Sequence, residues 1–358
     1  MKILFEVKKV TRPNLLPKIK QGVEFFEVGN NRIYIGNLKG GIQVENIPIS
    51  LIRSFNGRKT LSQIAENTLV KPELIDELIE LLLAHQLIDI YPTKLIFEDR
   101  FHSKKNGATK PFENDVAVRD FEQKIAAESA LTTFRSGIND GGKPMLSRRQ
   151  QFEIKIMGDE ELSIALYVSL LSSGFTSTLL EINREVQMDD LRSGILQLGD
   201  VGNKIQETLE RLKKVHQLFK DGEQHQKAST LVIYFGRPNE KLIQEWMSQD
   251  ILHLTIESIG PNVVIGPIVL PGQSPCLNCV TKVDTKILRN IKEISAFQRP
   301  AIGALNWITG YLNLAVAEFV DTGSSPLIGC AKVFDFVNPN EIREIKYPRH
   351  PACGCNWL

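Results

Sequence analysis

Two pairs of closely spaced cysteines are the residues of this sequence that point most directly to chemistry. Cys276 and Cys279 stand in PGQSPCLNC, and Cys353 and Cys355 stand in HPACGC. A Cys-x-x-Cys turn lets two thiolates meet one ion, and four thiolates form the tetrahedral site that structural zinc prefers. The sequence therefore predicts that these cysteines bind Zn²⁺ as a structural cofactor and leave no open coordination position for catalysis.

A redox role is the alternative for Cys276 and Cys279. It is disfavoured because Cys276 does not precede an early helix of a β-α-β unit, where a redox Cys-x-x-Cys pair is expected. Cys330, the remaining cysteine, lies in the strand-like run LIGCAKVFDF and is expected to be buried and inert. His350 is a candidate substitute ligand, although a role beside the metal or in solvent is favoured for it.

The composition limits the kinds of partner that the protein can bind. The chain has 358 residues, of which 42% are apolar and 24% charged, and this length predicts two or three domains. Lys and Arg number 43 against 42 Asp and Glu, for a formal net charge of +1. So balanced a charge creates no long-range field, which argues against nucleic acid or a membrane surface as a partner. No stretch has the apolar length of a signal peptide or a membrane span, so we expect a cytoplasmic protein.

The first hundred residues read as a small domain of strands and helices. β-rich runs at 23–28, 32–37 and 41–45 are separated by turns with Asn and Gly, which tolerate positive φ and indicate hairpins. Short helical segments follow, then a longer helix from Pro72 with apolar residues at helical spacing, and a closing strand at 87–90. This order predicts a winged-helix-like unit.

The longest helix of this unit bears on what the unit binds. A DNA-binding winged helix needs a basic recognition helix, whereas KPELIDELIELLLAHQ carries four acidic residues against one lysine. DNA would be repelled, which disfavours a winged-helix regulator. The remaining alternatives are a unit used only for packing and a unit that captures an extended peptide at a free strand edge.

The order of elements, the phrase ISLIRSFNGRKTLSQIAE and the apolar helix after it resemble the PqqD-like element that recognises leader peptides in pathways modifying ribosomally made peptides. In that family the leader binds between the third strand and the third helix. The resemblance implies that a precursor leader peptide is a partner, bound along the strand at 41–45 and the exposed face of the helix at 72–83. The implied peptide-binding residues are Ile42, Gln43, Val44, Glu45, Ile75, Leu78, Ile79 and Leu82.

Residues 102–115, HSKKNGATKPFEND, have the polar, Gly- and Pro-containing composition of a linker. We therefore expect a recognition domain at 1–101 and a second domain at 116–358. In the second domain, the strand-like runs FEIKIMG, TLLEI and TLVIYFG alternate with helices predicted at 161–173 and 202–219. Strands that alternate with helices predict a doubly wound α/β sheet of parallel strands.

The first strand-to-helix turn of this domain is where a nucleotide-binding fold places its glycines. The turn reads IMGDEELS, and of the expected glycines only Gly158 is present. Glu160 and Glu161 stand where phosphate oxygens would lie and would repel them. The sequence therefore argues against ATP as a cofactor, and it favours an ordinary helix start whose acidic residues complement the helix dipole.

The alternating elements and the stretch DDLRSGILQLGDVGNKIQETLERL resemble the ThiF and MoeB group of ubiquitin-activating-like enzymes. In active members an Arg and a Lys of this stretch contact ATP phosphates, and the matching residues are Arg192 and Lys204. Active members also carry an Asp for magnesium after the next strand, where this sequence has Gly236. The resemblance implies a ThiF-like fold whose adenylation chemistry has decayed. Arg192 and Lys204 then bind a nucleotide only if a site persists, and otherwise they are solvated surface charges.

The two cysteine motifs, the helix ALNWITGYLNLAVAEFV and the strand IGCAKVFDF resemble the ThiF-like proteins of thiazole/oxazole-modified microcin biosynthesis. In that family a leader-recognition element is fused to a ThiF-like domain, and a YcaO protein converts Cys, Ser or Thr to azolines with ATP. The resemblance implies a non-catalytic subunit that holds the leader of a bacteriocin or thiopeptide precursor for a YcaO-type cyclodehydratase. It also implies a homodimer, formed through the apolar helix at 304–320. The alternative is a ThiF-like adenylating enzyme that activates a peptide carboxylate with ATP and magnesium.

Overall fold

The chain forms two compact units, Met1–Pro144 and Met145–Leu358. Most of the linker predicted at 102–115 lies outside the described residues, as does Glu160. The computed structural model describes residues 14–38, 40–91, 103–105, 108–110, 127–128, 130–131, 138–158, 161–216, 229–259, 261–283, 300–338 and 341–357.

In the first unit, a three-stranded antiparallel sheet and three helices follow one another along the chain. Two further strands, one before and one after them in the sequence, pair with each other. The elements are β1 (Leu16–Ile19), β2 (Glu24–Gly29), β3 (Arg32–Asn37), β4 (Gly40–Glu45), α1 (Ile49–Ser54), α2 (Leu61–Thr68), α3 (Pro72–Ala84), β5 (Ile88–Tyr91), β6 (Ser103–Lys105) and β7 (Ala108–Lys110). The sheet has the order β2-β3-β4, β1 pairs with β5, and β6 pairs with β7. The strands predicted from turn signals are present, whereas β1 was not predicted.

Local sequence signals explain where the helices of this unit begin. At the start of α2 the Thr60 hydroxyl accepts a hydrogen bond from the Gln63 amide at 3.3 Å, and the Gln63 side chain accepts one from the Thr60 amide at 3.0 Å. Pro72 stands in the first turn of α3, where no intrahelical donor is required. The apolar stripe of α3 then packs into one core with the inward residues of β3 and β4.

Lys20 forms a buried ion pair with β5 and a hydrogen bond with the segment near residue 138. Lys20 Nζ lies 3.5 Å from Asp89 Oδ1 and donates a hydrogen bond to the Ile138 carbonyl at 2.7 Å. The Ile90 amide also donates to the Asn139 carbonyl, at 2.7 Å. Burial raises the pKa of Asp89 to about 6 although the Lys20 ammonium opposes the shift, and burial lowers the pKa of Lys20.

The second unit is built on a seven-stranded sheet. Its elements are α4 (Lys143–Gln151), β8 (Phe152–Met157), α5 (Glu161–Ser172), β9 (Ser177–Leu180), α6 (Ile205–His216), β10 (Ser229–Phe235), α7 (Glu240–Ser248), β11 (Leu252–Ile259), β12 (Asn262–Val269), α8 (Leu277–Val283), α9 (Ile302–Thr322), β13 (Cys330–Asp335) and β14 (Ile342–Lys346), with 3₁₀ turns at Met188–Ser193, Leu198–Asp200 and Gly354–Trp357.

The strand order is β14-β13-β12-β11-β10-β8-β9, and the sheet is parallel over only part of its width. β9, β8, β10 and β11 run parallel, whereas β12, β13 and β14 are each antiparallel to the neighbouring strand. The mixed α/β class with a large, parallel-rich sheet is confirmed. The strands predicted to be parallel correspond to β8, β9 and β10, which do run parallel. The antiparallel strands were not predicted; the first of them arises because β11 is followed by a tight connection into β12, and such a connection joins antiparallel strands.

At β10 both faces of the sheet are buried. Leu231, Ile233 and Phe235 face a core shared with α5, α6 and α9, and Val232 faces a second core that contains Trp246 and the four paired cysteines. This alternation follows from the two-residue period of a strand. Within the described residues, no helix combines the length and apolar character that a membrane span requires.

Candidate functional site

The four paired cysteines meet in the second core. Their Sγ atoms all lie within 4.8 Å of one another, and each residue is buried. The Sγ–Sγ distances are 3.9 Å between Cys276 and Cys279, 3.5 Å between Cys276 and Cys353, and 3.4 Å between Cys279 and Cys355. Zn–S bonds of about 2.3 Å place tetrahedral ligands about 3.8 Å apart. The set therefore fits one tetrahedral metal ion, as the sequence predicted.

Backbone groups hold this cysteine site in shape. The first pair stands at the start of α8, where the Cys279 amide donates to the Cys276 carbonyl at 2.9 Å. The His350 amide donates to Cys279 Sγ at 3.3 Å, and Lys282 Nζ donates to the Ala352 carbonyl at 2.6 Å. His350 Nδ1 accepts a hydrogen bond from the Ala352 amide at 3.2 Å, so this nitrogen stabilises the turn directly before the second cysteine pair.

The thiols respond differently to their surroundings. Burial raises the pKa of Cys276 and of Cys355. For Cys353 burial also opposes ionisation, but hydrogen bonds from the Cys355 amide and the Cys276 thiol outweigh it and lower the pKa to about 7. Because thiolates are costly to bury without a cation, a metal ion is the natural counter-charge for this set. Cys330 is 4% exposed within β13, so the expectation that it is buried is confirmed, and it does not belong to the group of four paired cysteines.

The turn after β8 carries a carboxylate where a phosphate-binding fold carries anion donors. Gly158 has φ +141°, and a Cβ there would lie 2.9 Å from Phe235 Cβ, so the glycine is required by packing. Glu161, the first residue of α5, is 6% exposed, and its Oε2 lies 3.6 Å from a guanidinium nitrogen of Arg192. Arg192 also donates to the Pro300 carbonyl at 2.9 Å. Arg192, which was named for a nucleotide only if such a site persists, is thus paired with a residue of the chain itself.

The other residues named for a nucleotide site lie as follows. Lys204 is exposed and directly precedes α6, with its backbone bridged to Glu185. Gly236 follows β10 with φ +105°, and the next residue, Arg237, forms a two-point ion pair with Glu257 at 2.7 and 3.2 Å. The Glu257 carboxylate, on the strand next to β10, is therefore engaged by Arg237.

β4 is one of the two edge strands of its sheet, because within the described residues it pairs with β3 alone. The Asn46 amide donates to the Asn31 carbonyl at 2.9 Å, and the register places Val44 opposite Ile33. Hydrogen-bonded and non-bonded pairs alternate in an antiparallel ladder. The Val44 amide therefore faces β3, and the Gln43 amide and carbonyl point out of the sheet at its open edge.

The predicted peptide-binding residues divide by burial. Gln43 and Glu45 are exposed, and Ile42 is half-buried. The other predicted residues lie in the core of the unit, with exposed fractions of 6% or less: Val44, Ile75, Leu78, Ile79 and Leu82. On the exposed face of α3, which the resemblance also implied, lie Leu74 and Leu81 at 37% and 39% exposure. They stand beside the main apolar stripe and not on it.

A cavity of about 1200 Å³ adjoins the cysteine site in the second unit. Its wall includes Arg237, Glu257, Asn278, Arg343 and Cys353. It was not predicted, because its lining comes from β11, β12, β13, β14 and α8, which are distant in sequence.

Comparison with known proteins gives a fold and no family. No family model matches the sequence, and no curated protein matches it. Among solved structures, E. coli MccB with MccA is 14% identical to this chain with a TM-score of 0.58, over 95% of this chain and 99% of that chain. MccB with ATP is 14% identical with a TM-score of 0.57, over the same shares of the two chains, 95% and 99%. A heterocyclase in complex with substrate and cofactor is 14% identical with a TM-score of 0.57, over 95% of this chain and 39% of that chain. The heterocyclase TruD is 13% identical with a TM-score of 0.55, over 95% of this chain and 42% of that chain. The chain thus shares the fold of MccB and of part of each heterocyclase.

Proposed function

We propose that this protein binds the leader of a ribosomally made precursor peptide and holds it for a separate YcaO-type cyclodehydratase that forms azolines from Cys, Ser or Thr. The observation that carries the proposal is the fold. Over 95% of its length the chain is similar both to MccB, solved with MccA, and to a heterocyclase, solved with its substrate. The resemblance of the sequence to proteins of thiazole/oxazole-modified microcin biosynthesis makes a precursor peptide the molecule that this fold binds.

The open edge of β4 supports the peptide-binding half of the proposal. An extended leader adds as a strand there and bonds to the outward amide and carbonyl of Gln43. Side-chain contact comes from exposed residues, namely Gln43, Glu45, Leu74 and Leu81, and from half-buried Ile42. Val44 and the buried α3 residues support the surface from beneath.

The turn after β8 supports the absence of adenylation by this chain. A triphosphate placed at the start of α5 would meet the Glu161 carboxylate at short range, and like charges there repel strongly. Arg192 is already engaged by Glu161 and by the Pro300 carbonyl. Nucleotide chemistry is therefore assigned to the partner.

The chain spans less than half the length of the heterocyclases, 39% and 42% of the two chains. The resemblance of the cysteine motifs, the helix ALNWITGYLNLAVAEFV and the strand IGCAKVFDF assigns the cyclodehydration to a YcaO-type protein. Binding the leader to a shared complex raises the effective concentration of the core peptide at that protein's active site.

Two assembly features complete the proposal. The metal is Zn²⁺ in a structural role, since four sulfur ligands fill its coordination sphere and leave no open position.

The chain forms a homodimer through α9, whose outer side carries Ile302, Trp307 and Leu314 at 41%, 42% and 52% exposure.

The experiment is a reconstitution with the full chain, a precursor peptide and its YcaO partner. Azoline formation, followed as loss of 18 Da per ring, is expected to require all three proteins plus ATP. Isothermal titration is expected to show binding of the leader to the full chain and no binding of Mg–ATP. Equal azoline formation without this chain would remove the presenting role.

The second candidate is an adenylating enzyme, and one observation favours it. MccB has been solved with ATP, and the chain spans 99% of MccB. This candidate requires the chain alone to catalyse exchange of labelled pyrophosphate into ATP in the presence of a peptide carboxylate. Exchange above background would establish it in place of the presenting role.

A further inference from the structure

An aromatic pair lies on the solvent side of the three-stranded sheet. Phe26 of β2 and Tyr34 of β3 stand directly opposite each other in register, and their ring centroids are 5.3 Å apart. Phe26 is 52% exposed, whereas Ile33 and Ile35, the neighbours of Tyr34 along β3, point into the core. Alternate residues of a strand face opposite sides, so the pair marks the outer face of the sheet, away from that core.

The Tyr34 side chain reaches from β3 across to the edge strand β4. A Cβ at Gly41 of β4 would lie 2.5 Å from the Tyr34 hydroxyl oxygen and 2.6 Å from Tyr34 Cζ, and a Cβ at Gly36 would lie 2.5 Å from the same oxygen. Gly36 and Gly41 are partners in the register of β3 and β4. Neither has a positive φ, so backbone conformation does not call for glycine there. The space that their side chains would fill is taken by the Tyr34 phenol and by neighbouring backbone.

Gly41 stands at the open edge of β4. The Val44 amide faces β3 and the direction of bonding alternates along the strand, so the amide and carbonyl of Gly41, like those of Gln43, point out of the sheet. An antiparallel strand added there has one residue that exchanges both hydrogen bonds with Gly41. The Cα atoms of such a pair are about 5.5 Å apart, and their side-chain positions share the outer face.

The missing side chain at Gly41 brings an added strand into contact with β3. Neighbouring strands are about 4.8 Å apart, so β3 and an added strand are about 10 Å apart, and their side chains do not ordinarily meet. Here the Tyr34 phenol already lies over Gly41. The residue that pairs with Gly41 therefore meets the phenol, with no side chain of position 41 between them.

We propose that this unit recognises an aromatic residue of the leader, a Phe, Tyr or Trp, at the position that pairs with Gly41. The inference rests on the proposed function, because it adds a specificity subsite to strand addition at β4. The incoming ring lies over Gly41 against Tyr34 and extends the pair of Phe26 and Tyr34 by a third ring. An aromatic side chain suits this place better than an aliphatic one, because rings about 4.5–7 Å apart attract each other beyond the effect of the buried area.

The test uses fluorescein-labelled twelve-residue peptides of alternating Thr and Gln, in which one central residue is Phe, Leu or Ser. The uniform background lets the central residue reach the subsite without a fixed register. Binding to the full chain is measured by fluorescence anisotropy. The Phe peptide is expected to bind about five-fold more tightly than the Leu peptide, as for one aromatic pair, and the Ser peptide is expected to bind most weakly.

Two substitutions of Tyr34 supply the decisive comparison. Tyr34→Phe keeps the ring and is expected to keep the preference for the Phe peptide over the Leu peptide. Tyr34→Thr removes the ring, retains a residue that suits a strand, and is expected to make the two affinities equal. A partly unfolded variant would weaken both peptides by the same factor, so the ratio of the two affinities reports the ring and not the stability.

The outcomes separate this inference from the proposed function. Equal affinity for the Phe and Leu peptides, together with weaker binding of both by Gln43→Pro, rejects the aromatic subsite and leaves strand addition standing. A preference for the Phe peptide that persists in Tyr34→Thr also rejects the subsite. Absence of binding by every peptide rejects the subsite and counts against peptide capture at this edge.

Discussion

Replacement of Gln43 by proline is the most direct test of peptide capture, because it removes a single backbone donor. The Gln43 amide points out of the sheet, and the Val44 amide faces β3. Proline at 43 therefore deletes a hydrogen bond to the leader and none within the ladder, and edge strands accept proline at such positions. Gln43→Ala keeps the amide and removes the side chain, so it is the matched control.

The size of the effect follows from one backbone hydrogen bond. Its net contribution is about 0.5–1.5 kcal/mol, which corresponds to a loss of affinity of about two-fold to twelve-fold. Gln43→Ala is expected to lose less affinity for the leader than Gln43→Pro, because it keeps the backbone donor and removes only one exposed side-chain contact. Val44→Pro is expected instead to destabilise the unit by about 3 kcal/mol or more, because it breaks the ladder at a residue that is 6% exposed.

The assay is anisotropy of a labelled leader, combined with thermal unfolding of each variant. A leader affinity that Gln43→Pro leaves unchanged, in a variant that melts normally, refutes strand addition at β4. Equal losses in Gln43→Pro and Gln43→Ala would show that the glutamine side chain, and not the amide, makes the contact.

Three further predictions concern the metal, the turn after β8 and the buried ion pair. Cys279→Ser is expected to abolish binding of one zinc equivalent, measured by elemental analysis, and to lower the melting temperature of the second unit; full zinc content would contradict the ligand set. Glu161→Gln removes the carboxylate that opposes a phosphate and frees Arg192, so its affinity for ADP in a calorimetric titration is expected to exceed that of the unchanged protein, and no increase would contradict the blocking role. Asp89, with its pKa raised to about 6, holds a proton in the folded state that it has lost in the unfolded state between pH 4 and pH 6. The free energy of unfolding, relative to Asp89→Asn, is therefore expected to fall by about 3 kcal/mol as the pH rises through that window, and a flat difference in denaturant titrations would contradict it.

The sequence by itself determined the features that depend on local chemistry. The spacing of Cys276, Cys279, Cys353 and Cys355 was enough to group them, because few arrangements other than a shared ion suit two close thiol pairs in one chain. Turn residues placed the strands of the first sheet, and the periodicity predicted at 161–173 corresponds to α5 at Glu161–Ser172. Turn chemistry and helical periodicity act over a few residues, so they can be read along the chain.

Only the tertiary structure decided which residues share an environment across the chain. The apolar residues of α3 that the sequence offered to a peptide are its core residues, because periodicity shows that a stripe is apolar and not what covers it. The pairing of Arg192 with Glu161, of β1 with β5, and the antiparallel half of the large sheet were equally invisible. Each joins segments that approach only when the chain packs, and the free energy that selects them is that of the whole core and not of any local run.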